Sequence, residues 1–261
     1  MNLPAPIRQI TGERPFTVDR TGMSGARILC FDDMVLKIQP QDASAQKEYR
    51  MMQWLNGKLP VPRVLACHEE RGTQYLLMSR IPGEMACAPA FLQAPEALVD
   101  RLAEGLRMLW AVDLAGCPCN SSLDEKLKLA QFRVSHGLCH MDDAEPGTYG
   151  KHGFRSPEHL LKWLSDNRPA EDTVFSHGDY CLPNLLLSGG RISGWVDLGR
   201  SGPADRYQDI ALCCRSLEHN LSGVYSSQQY AGVSPSLLFE RLHIKPDWEK
   251  VRYYILLDEL F

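Results

Sequence analysis

The sequence predicts an α+β chain of two lobes: a small β-rich N-terminal lobe with one main helix, and a larger, mainly α-helical C-terminal lobe. Three observations predict it. Short apolar runs separated by turn-forming residues crowd the first third of the chain. A single amphipathic helical pattern interrupts them. After Ile81-Pro82-Gly83 the pattern changes to longer stretches of helical periodicity, which places the boundary between lobes 1–82 and 83–261. At 261 residues the chain is long for one small domain and suits two modest lobes sharing a cleft.

FTVDR (16–20), ARILCF (26–31) and MVLKIQ (34–39) read as strands, divided by TGMSG and DD. ASAQKEYRMMQWLNG (43–57) reads as a helix, with Tyr49, Met52 and Leu55 near one face and Gly57 suited to the stop. KLPVPRVLAC and TQYLLMSRI look like two further strands, the first opening in an edge-like, Pro-containing stretch. Beyond the connector, Leu98, Leu102, Leu106 and Leu109 form an apolar stripe behind Pro95, which suits a first helical turn. SSLDEKLKLAQFRVS and SPEHLLKWLSDN begin with serine caps and early acids. HMDDAEPGTYGKHG between them is polar and Gly-rich, and reads as a loop. TVFS reads as a strand, NLLLSGGRISGWVDLG as a hairpin about Gly-Gly, and PDWEKVRYYILLDELF as a closing helix.

Composition excludes several function classes. Hydrophobic residues at 44% and charged residues at 23% are the balance of an ordinary globular protein. With 28 basic and 32 acidic residues the net charge is -4, so no basic excess points to nucleic acid. No run of 18 apolar residues suggests a membrane span, and MNLPAPIRQITGERPF lacks the apolar core of a signal peptide. The expectation is a cytoplasmic protein whose nine cysteines are reduced, with no obligate protein partner evident. Cys117 and Cys119 form CPC and Cys213 and Cys214 are adjacent; neither pair has the CxxC spacing of a zinc site.

The chemistry gathers in HGDYCLPN, where Asp179 and Asn184 stand five residues apart. Either alone would read as a turn residue bonded to its own backbone. The hairpin changes that reading, because it starts at Asn184, ends at Asp197 and bends back on itself. The two should therefore meet as a corner of hard oxygens suited to Mg²⁺. Asp179 then stands close by as a carboxylate without an evident cation, the group that phosphoryl transfer uses to orient a hydroxyl and take its proton. Lys37 is an unexpected charge in an apolar strand, and Glu48 follows on the helix. A strand lysine facing a helix glutamate can aim its ammonium at nucleotide phosphates. TGMSGA (21–26) allows close backbone approach at Gly22 and Gly25, with Ser24 able to donate to a phosphate, although it is neither a P-loop nor GxGxxG. At the end of the chain Asp258, Glu259 and the carboxylate of Phe261 concentrate negative charge at the unfavourable end of a helix dipole, a conflict that a cation would relieve. Asp142, Asp143 and Glu145 supply a second acidic wall or a solvated loop.

Taken in order, these pieces resemble the small-molecule branch of the protein-kinase-like fold, and more closely the aminoglycoside 3'-phosphotransferase (kanamycin kinase) family. FSHGDYCLPN, ISGWVDLGRSGPADRYQDIALCCRSL, KPDWEKVRYYILLDELF, TGMSGARI, MVLKIQ, EYRMMQWLNGKLPVPRVL and LLMSRIPG carry the resemblance nearly end to end. It implies transfer of the γ-phosphate of a nucleotide, ATP or GTP, to the 3'-hydroxyl of a kanamycin- or neomycin-type aminoglycoside, and hence antibiotic resistance. It implies Asp179 as catalytic base, Mg²⁺ on Asn184 and Asp197, and Lys37 with Glu48 on the α- and β-phosphates. Met23 and Ser24 would cover the phosphates, Arg200 would lie near them or the catalytic loop, and adenine would meet the connector from Ser79 to Ile81 with Met78 behind. The aminoglycoside would be held by Glu259, Asp258, Phe261, Arg215 as organiser, and Asp142, Asp143 and Glu145.

Two features depart from the family pattern. Val35 stands two before the lysine, where an aromatic residue can stack on adenine, and this leaves the choice of nucleotide open. The 140–153 loop also departs from it. The residues of HGD are compatible with a kinase of another small alcohol (choline, homoserine or a sugar), although LLDELF suits a polycation better than a choline cage. A non-catalytic nucleotide-binding module would be expected to lack one of Lys37, Glu48, Asp179, Asn184 or Asp197.

Overall fold

The computed structural model describes residues 3–19, 25–226 and 228–261. A short helix, α1 (Ala5–Thr11), precedes β1 (Thr17–Asp19), β2 (Arg27–Cys30) and β3 (Met34–Pro40). Helix α2 (Ala43–Leu55) follows, then β4 (Val64–Glu70) and β5 (Thr73–Ser79). The five strands form one antiparallel sheet in the order β1-β2-β3-β5-β4.

Alternation along β3 gives the sheet two different faces. Met34 and Leu36 join Ile7, Leu29, Phe31 and Leu77 in a small core on one face. Val35 and Lys37 therefore point to the other face, towards α2 and the second lobe. Asp42 caps α2 by accepting from the Ala45 amide at 2.8 Å. The buried residues of α2 are Ala45, Glu48, Met51, Met52 and Leu55, so Glu48 lies within the helix's inward face. Met51, Met52 and Leu55 belong to the large core that runs into the second lobe.

The second lobe begins with β6 (Glu84–Met85), α3 (Pro89–Leu92), α4 (Pro95–Trp110), α5 (Leu123–Ser135) and α6 (Pro157–Asp166). Strands β7 (Thr173–Ser176), β8 (Leu185–Ser188), β9 (Arg191–Trp195) and β10 (Gly202–Asp205) come next. Helices α7 (Arg206–Ser222), α8 (Ser236–Leu242) and α9 (Trp248–Asp258) close the chain. β8 and β9 pair as a hairpin with β6 added at the β8 side, while β7 pairs antiparallel with β10. The fold is thus a β-sheet lobe followed by a largely helical lobe, in a mixed α+β chain.

Six elements were not expected from the sequence: α1, α3, β6, β10, α7 and α8. In α1 the prolines of the N-terminus serve as cap and first-turn residues, and Ile7 and Thr11 are buried. β6 and β10 (EM and GPAD) carry no alternating pattern; they exist as strands because β8 and β7 offer them partners. The serine caps differ from one another: Ser156 accepts from the His159 amide, whereas Ser122 at the start of α5 makes no such bond. All nine cysteines are free, and among the described residues no helix is long and apolar enough to cross a membrane.

Candidate active site

The loop after β7 is fastened from several directions. The amides of His177 and Gly178 donate to the two oxygens of Asp209 on α7, at 2.8 and 2.9 Å. The His177 ring meets the Val196 carbonyl at 2.9 Å, the Tyr180 hydroxyl donates to the Leu102 carbonyl at 3.0 Å, and the Leu182 amide donates to Ser216 Oγ at 3.0 Å. Gly178 has φ +82°, and a Cβ there would lie 2.2 Å from the Arg200 carbonyl oxygen, so only glycine fits. Burial raises the Asp209 carboxyl pKa, against the opposing pull of His177 and the two amides. The sequence reading missed Asp209. In RYQDIALCC nothing marks it out, and only the packing of α7 under β7 reveals its role.

Asp179 emerges half-buried from this braced loop. Its Oδ1 accepts from the Cys181 thiol at 3.1 Å and its Oδ2 from Asn184 Nδ2 at 3.1 Å. The same Nδ2 donates to the Asp179 carbonyl at 2.9 Å, so the carboxamide oxygen of Asn184 is the atom left for another partner. Among the described residues no cation lies within ion-pair distance of Asp179.

The hairpin brings the next group in. Its open end is closed by the Val196 amide donating to the Asn184 carbonyl at 3.0 Å. Asp197 then takes a left-handed conformation, φ 59° and ψ 63°, unusual for a residue with a side chain. One carboxylate oxygen meets Lys37 Nζ at 3.0 Å. Lys37 is also 2.9 and 3.0 Å from the two oxygens of Glu48, which accepts in addition from Gln39 at 3.1 Å. Burial works against the Lys37 ammonium, but two flanking carboxylates prevail and raise its pKa. Burial works against the Asp197 carboxylate too, yet Lys37 holds its pKa below the usual range.

A cavity of about 360 Å³ lies between the sheet and the hairpin. Ile28, Val35, Met78 and Leu186 line its apolar part, and Lys37, Asn184 and Asp197 its polar end. Ser79 and Ile81 of the connector form an edge; the Ser79 amide is already committed to the Arg63 carbonyl at 2.9 Å. Met23 and Ser24 lie outside the described residues. The polar end fits a magnesium ion in its donor chemistry, since the Asn184 carboxamide and the half-exposed Asp197 carboxylate both present hard oxygens. No group of three or more His, Cys, Asp or Glu that could enclose a metal occurs among the described residues. Such a two-residue site suits an ion that phosphate oxygens and water complete.

The acidic end of the chain is organised rather than frayed. Asp258, which the sequence offered as a substrate anion, is turned inward: Arg200 holds one oxygen at 2.8 Å and Arg215 holds the other. These cations overcome the cost of burial and keep its carboxyl pKa below the usual range. Burial works against the Arg200 guanidinium, but the charges of Asp258, Asp179 and Asp197 prevail and raise its pKa. Arg215 reaches further, to Glu145 at 3.7 Å and Glu259 at 3.6 Å. Glu259 Oε2 accepts the Glu145 amide at 3.1 Å, whereas Oε1 is buried with no hydrogen-bond partner. Burial pushes the Glu259 pKa up to about 7. Glu145 also meets His219 at 3.2 Å. Asp142 is exposed on the Met141–Asp143 turn that also carries Asp143, and the ring of Phe261 lies 5.6 Å from the Arg200 guanidinium.

Comparison with known proteins identifies the family and the fold. The model of the APH phosphotransferase enzyme family matches residues 16–254. An aminoglycoside 3'-phosphotransferase of Enterococcus faecalis is 35% identical, over all of this chain and 99% of its own length. One from Staphylococcus aureus is 36% identical over 98% of this chain and 93% of its own. Among solved structures, an aminoglycoside 3'-phosphotransferase of type VIII superposes with a TM-score of 0.78 at 30% identity, covering 98% and 97% of the two chains. The Streptomyces rimosus enzyme APH(3'')-Id, solved with ADP and streptomycin, superposes at 0.79 with 25% identity over 97% and 95%. With a family model spanning most of the chain and relatives matched from end to end, the chain belongs to the aminoglycoside 3'-phosphotransferase family of phosphotransferase enzymes.

Proposed function

We propose that this enzyme transfers the γ-phosphate of a nucleoside triphosphate, ATP or GTP, to the 3'-hydroxyl of a kanamycin- or neomycin-type aminoglycoside in the bacterial cytoplasm, so conferring resistance. The observation that carries the reading is the position of Asp179. It is a half-buried carboxylate with no cation at ion-pair distance among the described residues, fixed by a braced loop and bonded to Asn184 at the polar end of the nucleotide-sized cavity. In that position it orients the acceptor hydroxyl and takes its proton.

Lys37, held by Glu48, directs its ammonium to the α- and β-phosphates, and purine packs between Val35 and Met78 along the connector at Ser79–Ile81. Met23 and Ser24 belong to the loop assigned to the phosphates. Asn184 and Asp197 would hold Mg²⁺, which when bound would supply neutralisation of charge on the transferring phosphate. Asn184 is already oriented for this, because Asp179 takes its amide nitrogen. The polycationic acceptor is met by Glu145 and Glu259, with Asp142, Asp143 and Phe261 at the margin. Arg215 organises the two glutamates, and Asp258 ties Arg215 and Arg200 together.

Purified protein with Mg²⁺, kanamycin and either ATP or GTP tests the reading by nucleoside diphosphate release. Aminoglycoside-dependent turnover that disappears in Asp179→Asn, with nucleotide binding retained, is the expected result. No such turnover with either nucleotide would remove the proposed substrate class.

A further inference from the structure

Helix α9 ends at Asp258, and beyond it only short turn bonds continue, from the Leu260 amide to the Leu257 carbonyl at 3.3 Å and from the Phe261 amide to the Asp258 carbonyl at 3.0 Å. Glu259 is also tied to the Glu145 loop, and the Phe261 ring lies near the guanidiniums of Arg133 and Arg200. Leu260 between them is fully buried, and its carbonyl lies beyond the helix end, where it accepts from Arg133 Nε at 2.7 Å and from the Cys139 thiol at 3.4 Å. Arg133 is in the last turn of α5, far from Leu260 in sequence. Its Nη2 donates at the same time to the Leu138 carbonyl at 2.8 Å.

Leu138 and Cys139 are the root of the loop that leads to Glu145. One guanidinium therefore joins the start of one acidic wall to the end of the other. Further along, the ring is closed by the Glu145 amide on Glu259 Oε2 at 3.1 Å, and the Arg133 guanidinium also stands 6.0 Å from the Phe261 ring. Arg133 touches neither Asp179 nor the nucleotide cavity.

We infer that Arg133 is a positioning residue for the acceptor: it sets Glu259 against Glu145 at the separation an amino sugar requires, and so determines aminoglycoside affinity without taking part in phosphoryl transfer. The inference rests on the aminoglycoside reading above. Arginine suits the task because its fork satisfies two carbonyls at once, while a lysine ammonium has one nitrogen to offer in their place.

The test is steady-state kinetics on the full chain for Arg133→Ala and Arg133→Lys, with both substrates varied and the melting temperature measured. The expected result is an aminoglycoside KM raised about tenfold in Arg133→Ala, with nucleotide KM and kcat within about twofold, as for a loss of binding common to ground and transition states. Arg133→Lys should fall between this variant and the parent, since it keeps the charge and one of the two bonds. It also keeps the test decisive should the alanine variant fail to fold. An unchanged aminoglycoside KM in Arg133→Lys, or an equal rise in both KM values, would overturn the assignment. Absence of aminoglycoside-dependent turnover in the parent would instead overturn the function reading, so the two failures are distinguishable.

Discussion

Replacing Asp209 by alanine should disable the enzyme without removing any group that touches a substrate. The carboxylate of Asp209 is fully buried and accepts two backbone amides, from His177 at 2.8 Å and Gly178 at 2.9 Å. A hydrogen bond to a charged acceptor contributes about 1.5–3 kcal/mol, and a buried donor left without a partner costs about 1–3 kcal/mol. The two amides are not equal. Gly178 retains Ser176 Oγ at 3.0 Å, whereas His177 keeps no alternative acceptor within its loop. Part of the loss is returned because burying the carboxylate is itself unfavourable, as its raised pKa shows. The balance is a destabilisation of about 2–4 kcal/mol. Asp179 follows directly on these amides, so kcat should fall about 100-fold, within the range that a positioned general base provides. Nucleotide KM should stay within about twofold, since Lys37, Glu48 and Asp197 are held by one another. Urea unfolding monitored by tryptophan fluorescence, with a coupled assay for diphosphate release, measures all three quantities. A variant within about 0.5 kcal/mol of the parent and within about twofold in kcat would refute the bracing role of Asp209.

Three further outcomes follow from the same structure. Gly178→Ala should lose about 2–5 kcal/mol by urea unfolding, from the positive φ and from a Cβ 2.2 Å from the Arg200 oxygen, and most of its kcat with it. Lys37→Met should raise nucleotide KM more than tenfold and cost about 3 kcal/mol, because Glu48 would be left buried with Gln39 as its remaining donor. A Glu259 pKa of about 7 makes a signed prediction about pH. Its folded value lies above the unfolded one, so the stability linked to it is present below about pH 4.3 and is lost as pH rises through about 7. Over the same interval the carboxylate forms, so aminoglycoside KM should fall as pH rises through 7. Glu259→Gln should show neither trend beyond that of the substrate amines.

The strands of the first sheet, α2, α4, α5, α6, α9 and the hairpin were legible in the sequence because they rest on local pattern, whereas α1, α3, β6, β10, α7 and α8 were not. A short apolar run between turn formers marked β3, an apolar face with a glycine stop marked α2, and the Gly-Gly turn marked the hairpin from Asn184 to Asp197. The pairing of Lys37 with Glu48 was legible for a related reason: a charge in an apolar strand and an acid on a facing helix need each other once they are buried, whereas the approach of Asp197 to Lys37 was not. Sequence alone could not decide which acids near the chain's end face solvent. Asp258 and Glu259 are neighbours in LLDELF, yet Asp258 is neutralised by close contacts to Arg200 and Arg215, while the Oε1 of Glu259 has no hydrogen bond and only the more distant Arg215 at 3.6 Å. That difference depends on guanidiniums from β9's far side and from α7, which reach the same point only after packing. Asp209 and Arg133 were hidden for the same reason. Each acts through backbone groups distant in sequence, and main-chain partners leave no residue pattern for a reader to find.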